Sequence, residues 1–115
     1  MTISFNEYQE QAKKTAIYPE SGDGSYNSLA YAVLGLTNEA GEVAGKVKKI
    51  WRDEFGELFD HRRAEIASEA GDVLWYLSAV ATELGVTLES LAAANLAKLQ
   101  DRQSRNVLGG SGDNR

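Results

Sequence analysis

Apolar residues recur at helical spacing along most of the chain, and no segment alternates with the period of two that marks a half-buried strand. Ser4 with Glu7 fits a capping box, and Phe5, Tyr8, Ala12 and Ala16 carry a helical pattern as far as Pro19. The stretch YPESGDGSYN is predicted to be a loop from its Pro, Gly, Ser and Asn content. From about Ser28 to Arg52 one stripe runs through Leu29, Ala32, Leu36, Ala40, Val43, Val47 and Ile50. DEFGELFDH interrupts it, and a second stripe follows from about Arg62 to Leu84 through Ile66, Ala70, Val73, Leu77 and Val80. Thr87 is placed to cap a fourth helix bearing Leu88, Leu91, Ala92, Leu96 and Leu99. The pattern predicts an all-α, four-helix bundle-like fold with an antiparallel central pair. It forms one domain over residues 1–115, in which about 106–115 are a flexible tail.

On this scaffold a short word is written twice. EAGEV places Glu39 and Glu42 three residues apart on the second helix, and EAGDV places Glu69 and Asp72 likewise on the third. At about 100° per residue each pair spans roughly 60° and borders its helix's apolar stripe. Both pairs lie some 10–20 Å back from the turn between the helices, so an antiparallel hairpin sets them level. A single ExxE pair would mean little, since Glu42 could simply pair with Lys46 at i,i+4. The repeat on matched flanks instead predicts four carboxylates converging on one small volume. Like charges at that density call for a cation. Oxygen-only donors select a hard divalent ion, Mg²⁺ first, with Mn²⁺ as its substitute.

Composition narrows the remaining choices. The chain of 115 residues has no cysteine and a single histidine, which excludes thiolate and histidine metal clusters and argues against a Ser-His-Asp triad. A net charge of −5 disfavours a nucleic-acid surface, and no apolar run approaches a membrane span, so a cytoplasmic setting is expected. The glycine-rich tail GGSGDNR lacks the GK[ST] ending of a P-loop. Gly41 and Gly71 fall inside helices at a cost of about 1 kcal/mol each, which predicts a close backbone approach at both. Trp51 and Trp75 read as core or interface residues.

ExxE followed by ExxD on two helices, with the flanking words TAIYP, LGLTNEAGEVAGKVKK, EAGDVLWYL, NLAKLQDRQSR and GSGDNR, resembles the MazG family of nucleoside triphosphate pyrophosphohydrolases over most of the chain. The resemblance implies Glu39, Glu42, Glu69 and Asp72 as Mg²⁺ ligands. It also implies cleavage of (deoxy)nucleoside triphosphates between the α and β phosphates, yielding a monophosphate and pyrophosphate. Family members often begin the first motif with two glutamates; Asn38 stands at the first of those positions, which leaves the number of ions open. Glu39 is the expected general base. Asn95, Lys98 and Arg102 share a face of the fourth helix at i, i+3 and i+7, and the resemblance supports Asn95 and Lys98 as substrate contacts. Tyr76, one turn past Asp72, and Lys46 are further candidates for binding substrate. Phosphoribosyl-ATP pyrophosphohydrolases and dUTPase-like enzymes share the acid skeleton, and a non-catalytic helical module that binds metal for assembly is the reading outside enzymes. The wide stripes, with Val33, Ala44, Trp51, Leu74 and Ala81 beyond the narrow seam, predict a homodimer or homotetramer, in agreement with the resemblance.

Overall fold

The computed structural model describes residues 1–115 as four helices without strands: α1 (Phe5–Lys13), α2 (Tyr26–Glu54), α3 (Asp60–Glu83) and α4 (Leu88–Ser104). The capping box of α1 is present, with the Glu7 amide donating to Ser4 Oγ and the Ser4 amide donating to Glu7 Oε2. Ser25 and Thr87 cap α2 and α4 by accepting the Ser28 and Ser90 amides. The end of α2 is set by Phe55 and Gly56, both at positive φ, where the Gly56 amide returns to the Ile50 carbonyl. α1 stops at Lys13 and not near Pro19 as its spacing predicts. The chain instead turns so that Tyr18 and Gly22 can reach α3.

The central hairpin α2–α3 carries most of the packing, with α1 and α4 lying against α3. Arg62 closes the hairpin at its turn, donating to Glu54 Oε1 at 2.8 Å and to Glu65 Oε2 at 2.9 Å. At the opposite end, buried Gln9 ties α1 to the α3–α4 junction. It donates to Thr82 Oγ1 and the Val86 carbonyl and accepts the Leu88 amide. α4 leaves α3 at 98° and does not touch α2. No single helix is long and apolar enough to cross a membrane.

Glu83, on the last turn of α3, is buried and organises the loop that precedes α2. It accepts from Tyr18 Oη at 3.1 Å and from the Gly22 amide at 2.8 and 3.0 Å. Burial, followed by the adjacent Glu83 charge, pushes the Tyr18 phenol up to about 12. A raised phenol pKa favours the folded state below the unfolded value near 10, and that contribution is lost as the pH climbs through about 12. Glu83→Ala strands these donors and is expected to lower stability by about 2–4 kcal/mol in urea unfolding. An unchanged midpoint would show that the loop is held by something else.

The core is thin. Only 11 of the 115 residues are buried, and Tyr18, Ala32 and Ala79 form its centre. The radius of gyration, 16.9 Å, exceeds the roughly 13 Å of a compact chain of this length. Val33, Val47 and Trp51 lie in line along α2 and are 42, 50 and 79% exposed. Trp51 is therefore not a core residue within one chain, whereas Trp75 packs against the core. A Cβ at Gly41 or Gly71 would meet nothing within 4 Å, so the close approach expected there does not occur in the chain. It occurs at Gly35, where a Cβ would fall inside the ring of Tyr76.

Candidate metal and nucleotide site

The two acid words meet across the hairpin. Glu39 on α2 and Glu69 and Asp72 on α3 bring one carboxylate oxygen each to within 4.8 Å of one another. Glu39 and Glu69 are half-buried, Asp72 is exposed, and none of the three contributes to the core. Withdrawal from water, with the charges of Asp72, Glu69 and Glu42 in decreasing order, raises the Glu39 carboxyl above its ordinary value. Glu42 is thus near enough to act on Glu39, but it stands outside the converging set and is exposed. Lys46 Nζ lies 3.7 Å from Glu69 Oε1, a loose ion pair at the edge of the cluster.

The donor chemistry fits a hard divalent cation. Oxygens on opposite sides of an octahedral Mg²⁺ stand about 4.2 Å apart, twice its bond length, so small side-chain rotations bring this set to ligating distance. Two tyrosines flank the acids. Tyr8 of α1 has its phenol raised by burial and then by Asp72. Tyr76 is raised by burial, then by Tyr31 and Glu39. Tyr76 meets Trp75 edge-on, with ring centroids 4.9 Å apart, and lies on Gly35. Neither Tyr8 nor Gly35 was singled out by the pattern. Tyr8 looks like one more residue of the α1 stripe until α1 is docked on α3.

The α4 residues are not part of this cluster within one chain. Asn95 and Lys98 are exposed, on a helix that has no contact with α2. Arg102 shares their helical face by spacing, but its side chain is only 6% exposed and is occupied by the tail. It donates to the Asp113 carbonyl at 3.0 Å, with Asp113 Oδ1 at 3.7 Å. Arg105 donates to the Arg115 carbonyl, and Arg115 in turn donates to the Gly112 and Leu108 carbonyls. The segment 106–115 is thereby folded back on the end of α4.

The family model described as the MazG nucleotide pyrophosphohydrolase domain matches residues 27–107, a span that includes all four acids of the repeated word. Gene 37 protein of Mycobacterium phage L5 is 49% identical over 109 residues, covering 94% of this chain and 96% of the phage protein. No solved structure matches the chain.

Proposed function

Since this chain belongs to the MazG nucleotide pyrophosphohydrolase family, we propose that it hydrolyses nucleoside triphosphates at the α–β bond, releasing a nucleoside monophosphate and pyrophosphate. The observation that carries the reading is the convergence of Glu39, Glu69 and Asp72 from two helices. These three, with Glu42 swung in by side-chain rotation, would hold Mg²⁺. An ion held there would offset charge on the phosphate oxygens and favour loss of a proton from the attacking water. Glu39, half-buried between the helices, takes the proton of the attacking water. Lys46 provides a positive charge beside the acids and can leave Glu69 for a phosphate oxygen. Tyr76, fixed against Gly35, forms a firm wall on the same side of α3 as Asp72 and is placed to contact the sugar. Asn95 and Lys98 reach substrate when a second copy packs against the open faces, and Arg102 does so only on release of Asp113.

The bond that breaks can be tested directly. Hydrolysis in oxygen-18 water, followed by mass spectrometry, is expected to give labelled monophosphate or labelled pyrophosphate and no nucleoside diphosphate. Stepwise release of orthophosphate would refute cleavage between the α and β phosphates.

A further inference from the structure

We propose that the cavity between the end of α1, the 16–22 loop and α3 receives the nucleobase of the substrate, with Trp75 and Tyr18 as its aromatic walls and the Ser78 hydroxyl as the group that reads the base. The inference rests on the triphosphate reading above and adds to it where selectivity resides.

The cavity measures about 370 Å³ and is lined by Ala12, Ala16, Tyr18, Trp75, Ser78 and Thr82 among others. That volume falls within the range of small-molecule sites, which combine apolar and aromatic walls with a few convergent polar groups. Its walls are held in place. Trp75 Nε1 donates to Thr15 Oγ1 at 2.9 Å, and Tyr18 is fixed by Glu83 and by stacking on Tyr31 at 5.0 Å. The Ser78 side chain is buried, at 1% exposure, and its Oγ has no hydrogen-bond partner. Buried hydroxyls are nearly always paired, so an unpaired one on a residue of the cavity lining, closed off while the cavity is empty, marks a donor that a ligand atom would satisfy.

The position also suits a nucleotide. Trp75 and Ser78 follow Asp72 on α3 by three and six residues, or about 4.5 and 9 Å along the axis. A base held there leaves its phosphates on the side of the acid cluster. The rival occupant is a second copy of the chain. The exposed apolar residues Val33, Val47 and Trp51 that would seat another copy are on α2, which contributes nothing to the cavity lining.

Binding without turnover provides the test. In a Trp51→Phe background Trp75 is the sole tryptophan, and its emission is followed in EDTA with each nucleoside 5′-monophosphate and with ribose 5-phosphate. At least one monophosphate should give a saturable change that ribose 5-phosphate does not. Ala12→Leu, which fills the cavity, should weaken that binding by more than tenfold. Ser78→Ala should weaken it about five- to tenfold and flatten the differences between bases, with no fall in melting temperature. An equal response to ribose 5-phosphate, or unchanged affinity and base preference in Ser78→Ala, would overturn the assignment. Monophosphate binding at Trp75 without triphosphate hydrolysis would leave the cavity standing and remove the proposed reaction. Hydrolysis with base preference unaltered in both variants would do the reverse.

Discussion

Asp72→Asn is expected to reduce triphosphate turnover by about a hundred- to a thousandfold while leaving the helical circular dichroism unchanged. The substitution keeps the side chain's volume and removes one negative charge from a set whose oxygens lie within 4.8 Å of one another. Asp72 is exposed and buries no core atoms, so the fold loses nothing. The reaction loses a ligand for the cation that offsets phosphate charge, and losing even one preorganised electrostatic contact commonly costs 10²–10³-fold. Metal binding gives a second, independent readout: calorimetric titration with Mn²⁺ should show weakened affinity in parallel. Wild-type turnover at saturating Mg²⁺ would mean that the acid cluster is not the site of chemistry.

Light scattering is expected to give at least twice the 12.5 kDa of one chain, and Trp51→Glu is expected to lower both that mass and the turnover. The argument is one of uncovered surface. A chain with 11 buried residues and a radius of gyration of 16.9 Å leaves apolar faces uncovered, and Val33, Val47 and Trp51 form a row along α2 that is 42, 50 and 79% exposed. Pairing with a second copy is the usual solution for such a face. A glutamate at position 51 would place a charge in the middle of that contact. The melting temperature of the parent chain should rise with protein concentration, as it does whenever association is linked to folding. A monomer mass with full activity would contradict both the assembly and the supply of Asn95 and Lys98 from a second copy.

What could be read from the sequence was local. Helical spacing located α2 and α3 to within about two residues at each end, and the repeated acids on matched flanks meet across the hairpin as three of the expected four. What could not be read depends on contacts between distant residues. α1 keeps its apolar spacing to Ala16, yet the helix ends at Lys13 because Tyr18 and Gly22 are drawn to Glu83 more than sixty residues away. Arg102 keeps the spacing of Asn95 and Lys98, yet the tail turns back through Gly110 and Gly112, both at positive φ, and takes its guanidinium. Gly41 and Gly71 stand out in the repeated word, but the glycine that matters for packing is Gly35, because only the docked hairpin puts Tyr76 on it. Ser78 is an ordinary serine in a helix until three separate segments enclose it.

The anchor on Glu83 also bears on the order in which the chain assembles. The α2–α3 hairpin closes through a five-residue turn and needs little loop entropy, so it can form early. Glu83 contacts Tyr18 and Gly22 across 65 and 61 residues of sequence, so the loop before α2 is secured only after the hairpin exists. It is bound by a few hydrogen bonds to one carboxylate, whereas the hairpin carries most of the packing in the chain. Amides in 18–24 should therefore exchange with solvent through a local opening of lower free energy than that of the α2–α3 core, and the chain would have two cooperative units within its 115 residues. Any ligand that fills the cavity beside Tyr18 and Trp75 would bind the closed form of that loop and slow its exchange, leaving the hairpin's own rate unchanged.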